Sequence, residues 1–164
     1  MSPGHHATAI ESEQHLLRCL VSIDLNMVRN GVVFHPSEWS FGGYNEIQTP
    51  RRKNVLIAYQ KLAELTGFDS YNAFREAHQE RVNESLANGN NQRQVHWTES
   101  IAVGSKNFIE TIHKKLGSLA KGRKILETEE GFQLREETAT YIANYDRENG
   151  NIGVRNTHFG NIST

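Results

Sequence analysis

Arg18, Ser22, Asn26 and Arg29 follow one another at steps of four, four and three residues, a spacing that puts all four on one stripe of a helix. A serine hydroxyl is a weak nucleophile unless a base or a metal ion stands beside it, and the sequence supplies neither near Ser22. The plain reading of Ser22 and Asn26 is therefore a solvated helix face, and a role in chemistry needs a further reason.

Eight histidines raise the question of a metal. His15, His35, His78, His96, His113 and His158 are scattered, with no pair spaced to bring two imidazoles to one side of an element. His5 and His6 are adjacent, so in an extended segment they point to opposite faces. No glycine-rich phosphate loop and no nucleophile elbow are present. The basic residues are more informative: Arg51, Arg52 and Lys53 form one cluster, Lys114 and Lys115 another, and Lys121, Arg123 and Lys124 a third, in the stretch AKGRK. Lysines at a helix C-terminus are explained by the helix dipole alone. Three positive charges on a glycine-containing loop suit contact with phosphates, although a merely solvated loop has the same composition.

The elements that must carry these groups read as mainly α, a helical fragment or bundle. Leu16, Leu17, Leu20, Val21, Ile23, Met27 and Val28 recur at helical spacing, predicting a helix from about Glu13 to Arg29, capped by Ser12 and stopped by Asn30-Gly31. VVFHP reads as extended and SEWSFGGYNEIQTP as a turn-rich connector with Trp39, Phe41 and Tyr44 as anchors. A helix from about Asn54 to Leu65 and a second one, capped by Asp69 or Ser70, with Tyr71, Phe74, His78 and Val82 on one face, form a helical hairpin. Thr98 and Ser105 are then expected to cap two short helices, the first ending near Val103-Gly104 and the second running to Gly117. That outline is shared by helix-turn-helix DNA readers and by ordinary helical hairpins. KILETEEGFQLRE fits a short C-terminal β-hairpin about Glu130-Gly131. The expected units are 1–48, 49–90, 91–144 and a flexible polar tail, 145–164.

A chain of 164 residues suits one domain or a small domain with appended pieces. Its formal net charge of -1 means that nucleic acid can be attracted only by local clusters. Cys19, the single cysteine, lies among apolar residues and reads as a buried thiol, in keeping with a reducing, cytoplasmic setting. No run approaches membrane-spanning length, and the first residues lack the pattern of a signal peptide.

"SIDLNMVRNGVVFHPSEW" closely resembles the "YI-x-LN-x-VRAG-x-V-x-HP-x-EW" segment of the REP-associated tyrosine transposases, single-strand DNA transposases of the His-hydrophobic-His superfamily. "GYNEIQTPRRKNVL", "LAELTGFDSYNAFREAH", "WTESIAVGSKNFIE" and "AKGRKI" also look like pieces of the longer members, so the resemblance runs from about His6 to about Glu137. It implies a ferredoxin-like catalytic domain in the intact family, in which two histidines on a strand hold a divalent metal, Mg or Mn. A helix-borne tyrosine there attacks the scissile phosphodiester, and a polar residue one turn later completes the metal shell. The tyrosine position falls on Ser22 and the polar position on Asn26.

The departures shape the expectation. The chain begins where the family's strands have ended, so the His-hydrophobic-His pair is missing, and His6 matches a non-ligand histidine. Residues 1–48 are then a remnant of the catalytic domain's C-terminal helix with its connector. With serine in place of a phenol, no catalytic residue and no cofactor are expected in this chain, and Asn26 is only a residual metal position. The reading that follows is a transposase-family DNA-binding protein without catalysis, holding single-stranded hairpins with Arg51, Arg52, Lys53, Lys114, Lys115, Lys121, Arg123 and Lys124. The alternatives are a non-catalytic subunit docking through its first helix on an intact transposase, and a decayed gene product. An uncovered apolar stripe on that helix predicts marginal stability or self-association.

Overall fold

The computed structural model describes residues 7–89, 94–129 and 131–136. His5, His6, His158, the 145–164 tail and most of the polar stretch after Gly89 lie outside them. The chain is mainly helical and includes a small four-stranded sheet. Strand β1 (Ala9–Ile10) leads into α1 (Gln14–Asp24) and α2 (Asn26–Arg29), followed by a 3-10 turn (Pro36–Glu38), α3 (Gly43–Gln48), α4 (Tyr59–Leu65) and α5 (Tyr71–Ala87). Next come α6 (His96–Glu99), β2 (Ala102–Gly104), α7 (Lys106–Leu116), a second 3-10 turn, β3 (Arg123–Thr128) and β4 (Gly131–Glu136).

The sheet order is β1-β2-β4-β3, with β1 parallel to β2 and the other pairs antiparallel. Side chains alternate across a strand, and β2 uses both faces. Ala102 packs with Ile109 and Leu134 beneath α7, whereas Val103 packs with Cys19 of α1 and Trp97 of α6. From α1 outward, Leu17 meets Ile47, Ala63 and Phe74, and Val21 and Leu25 meet Tyr44 and Val82. Helix α1 is thus the middle of a layered stack: α7, sheet, α1, then α3 to α5. Leu17, Val21 and Leu25 of its apolar stripe are covered from within, whereas Ile23 stays exposed; the most exposed large apolar side chains are Phe34, Phe41 and Leu56.

Several expectations need correcting. The segments on either side of Ile101 do not form a helix-turn-helix, because Ala102–Gly104 is a buried strand between β1 and β4. At Gly104 a Cβ would lie 2.6 Å from the Phe108 ring and 2.7 Å from Cβ of Glu11, so the glycine is required by close approach. Strands β3 and β4 pair from Arg123↔Glu136 to Thr128↔Gly131, but β4 also pairs with β2, so they form one side of a larger sheet. The connector contains α3, a helix that GYNEIQ does not advertise after two glycines. Finally, α1 has no side-chain cap at Ser12; the chain enters it through Glu13, whose N–H donates to Leu65 O at 2.6 Å.

Residues 54–58, expected to open the helix, are loop, and the backbone N–H groups of Leu56 and Ile57 are used by Glu46 instead. The Glu46 carboxylate, 5% exposed, accepts from Leu56 N at 3.1 Å, Ile57 N at 3.2 Å and Tyr59 Oη at 3.3 Å, and lies 3.5 Å from Arg51 Nε. The hydrogen bond from Leu56 N–H leads the effects that hold its pKa below the ordinary 4.5, opposed by burial. A carboxyl whose folded pKa is depressed contributes stability that is present above its unfolded value and lost as pH falls through the folded one. Stability is therefore expected to drop below about pH 4.5, and Glu46→Gln to flatten that part of the profile in denaturation curves taken across the acid range. An unchanged acid profile in the variant would remove this role from Glu46.

Candidate functional site

The polar stripe of the first helix folds back on itself. Arg29 donates through Nη1 to Ser22 O at 2.8 Å and through Nη2 to Ser22 Oγ at 3.2 Å. Ser22 is 8% exposed, so it is not a solvated surface residue, and a guanidinium cannot accept its proton. No catalytic base reaches it in this arrangement. Asn26, one turn on, is exposed and receives Asn30 Nδ2 on its carbonyl at 2.8 Å.

Ser22, Asn26, Arg29, Asn30, Gln94 and Thr98 line part of an open hollow of about 400 Å³. Hydroxyls, amides and a guanidinium are a poor donor set for Mg or Mn, which prefer carboxylates and other hard oxygen ligands. Arg29 would also repel the cation. The metal that the resemblance implies for intact relatives does not fit these residues. Among the described residues no three His, Cys, Asp or Glu side chains are grouped to hold a metal ion.

The basic residues fall on separate elements and in different states. Arg52 and Lys53 are exposed in the loop before α4, next to Arg51, which is turned toward Glu46. Lys114 and Lys115 are exposed in the last turn of α7, and Lys121 lies on the surface just before β3. Arg123 is half-buried and pairs with Glu136 at 3.1 Å; Lys124, its neighbour on β3, is exposed. Three of the eight thus stand at the C-terminal end of α7 or directly after it, and two more open β3.

Two polar clusters, one buried and one half-buried, were not legible from spacing. His78 Nε2 lies 3.0 Å from Asp24 Oδ2, with His78 fully buried and the Asp24 side chain 5% exposed. The approach is close but off the N–H axis, an electrostatic pair more than an aligned hydrogen bond. Gln48 Nε2 is 3.2 Å from His78 Nδ1; if the amide donates there, the ring proton sits on Nε2, facing Asp24. The second cluster joins Glu11, His15 and Ser105. Ser105 donates to Glu11 through N at 2.5 Å and Oγ at 2.9 Å, and His15 Nδ1 stands 3.4 Å from the same carboxylate. Although the residue types match a hydrolytic triad, the carboxylate sits between serine and histidine, so the imidazole cannot activate the hydroxyl. The carboxylate caps the N-terminus of α7 instead, where the helix dipole favours negative charge.

Cys19 carries no reactive thiolate: burial pushes its pKa up to about 11. No helix among the described residues is long and apolar enough to cross a membrane. Searches of protein-family models, curated proteins and solved structures find no match to this chain.

Proposed function

We propose that the chain is a DNA-binding protein related to the REP-associated tyrosine transposases that does not cleave DNA, its ligand being single-stranded hairpins. The observation that carries the non-catalytic half is the double hydrogen bond from Arg29 to Ser22. It sets against the hydroxyl at the family's tyrosine position a cation that cannot take up its proton. The binding half is supported by the exposed cations on and just after α7, Lys114, Lys115 and Lys121, which can contact phosphates without being released from a buried pair. Docking of α1 on an intact transposase is less well supported, since Leu17, Val21 and Leu25 are already buried inside the chain.

Fluorescence anisotropy with a labelled hairpin and a scrambled strand of equal length, each at several salt concentrations, tests the reading. Tighter, salt-dependent binding of the hairpin is the expected result; absence of DNA affinity would overturn it. Changing Lys114, Lys115 and Lys121 together to glutamine should flatten the plot of log affinity against log salt by about 2, from roughly 0.7 per lost phosphate contact on a single strand. An unchanged slope would remove these three residues from the interface. A nicking assay on the same hairpin should show no cleavage in the presence of Mg or Mn.

A further inference from the structure

We propose that the hollow between α1, α2 and α5 is a binding site for a phosphate group. Its volume is about 230 Å³, and its walls include Arg18, Ser22, Arg29, Arg81, Glu84 and Gln94. Three guanidinium groups from three helices line it, and Arg29 and Arg81 alone outnumber its one exposed carboxylate, Glu84, so the local charge is positive. A single carboxylate ligand needs one planar fork, whereas three forks suit a dianion with oxygens on several sides.

Arg29 and Arg81 are each held by neutral groups, so the bonds that position them do not cancel their charge. Arg29 is fixed by its two bonds to Ser22 and makes no ion pair with a described carboxylate, while its Nε is buried without a partner. A buried donor on a cation that lacks a counter-ion is costly, and an anion in the hollow offsets that cost. Arg81 is positioned by a neutral group, donating through Nη2 to Gln14 Oε1 at 2.7 Å, so that bond does not neutralise it. Gln94 accepts the Trp97 indole N–H at 2.9 Å, which leaves its amide nitrogen as a further donor. The same Ser22, Arg29 and Gln94 border the neighbouring hollow that holds Asn26 and Thr98, so a phosphate here could be free or could end a longer chain. The site stands apart from the basic residues around α7 and does not depend on DNA binding there.

The test is isothermal titration of the full chain with inorganic phosphate against chloride at matched ionic strength. Saturable binding is expected, accompanied by a rise in melting temperature. Arg81→Gln and Arg18→Gln should each weaken it about tenfold, the loss of one charge-assisted contact, while Lys61→Gln, at an exposed position of α4, leaves it unchanged. Each unliganded variant is melted first, so that loss of binding is not confused with loss of fold. No saturable binding, or binding that survives both arginine substitutions, overturns the proposal. Oligonucleotides with a 5′ phosphate or a 5′ hydroxyl identify the source. A preference for the phosphate that Arg81→Gln abolishes supports a nucleic-acid end, and equal affinities with phosphate binding intact support the free ion.

Discussion

Replacing His78 by alanine should lower the free energy of unfolding by about 3–5 kcal/mol, from the cavity left by a fully buried ring together with a buried carboxylate that loses its partner. The imidazole is fully buried, 3.0 Å from Asp24 and 3.2 Å from Gln48, so its removal strands the buried Asp24 carboxylate, while half-buried Gln48 keeps the Arg75 carbonyl as a partner. It also strips ring contacts from Phe74 and Tyr44. Urea denaturation followed by tryptophan fluorescence measures the effect. A loss below about 1 kcal/mol would mean that the pair is no stronger than an exposed one. Asp24→Asn belongs in the same series, because the double variant separates the coupling of the two side chains from the cost of each.

Leu17→Ala is the second large effect, expected at about 2–5 kcal/mol. Leu17 is 0% exposed and touches the shared cluster of α3, α4 and α5, while its helix neighbour Cys19 faces the sheet on the other side. Cutting the leucine back therefore loosens the helix on which both layers rest. Thermal melts at several protein concentrations are the informative measurement. If the chain is stable by itself, the variant melts lower and independently of concentration; a concentration-dependent wild-type midpoint would show that association supplies part of the stability.

What could be read from residues alone followed the range of the forces involved. Helices α5 and α7 were legible because their signals are local: Ser70 and Ser105 accept from Ala73 N and Phe108 N as caps, and Asn88 and Gly117 close the far ends. The apolar positions Phe74, His78 and Val82 are buried on α5 as their spacing requires. Strands β1 and β2 have two and three residues, too short for an alternating pattern, and their pairing partners are distant in sequence. The helix expected from Asn54 begins only at Tyr59, because the deciding acceptor, Glu46, belongs to the element before it. At the candidate site the stripe of Arg18, Ser22, Asn26 and Arg29 was visible from spacing. That Arg29 turns back on Ser22, and that Arg81 arrives from α5, are tertiary facts that no local period encodes.

The pairing of β1 with β2 has a further consequence, for the order in which the protein assembles. Thr8 Oγ1 donates to the carbonyl of Ser100, 92 positions along the chain, at 2.6 Å, and Ala9 N–H to Ile101 O at 2.8 Å. Everything from α1 to α6 lies inside that loop. Closing so long a segment is entropically slow, and rapid local steps cannot substitute for it. On the ribosome the α4–α5 unit can therefore collapse while β1 is still waiting, and the inner face of α1 that carries Cys19 stays uncovered until β2 has emerged. The last part of the fold to lock is the sheet in which β1 meets β2, which makes that stage, rather than the finished protein, the interval most open to chaperones and to mispairing.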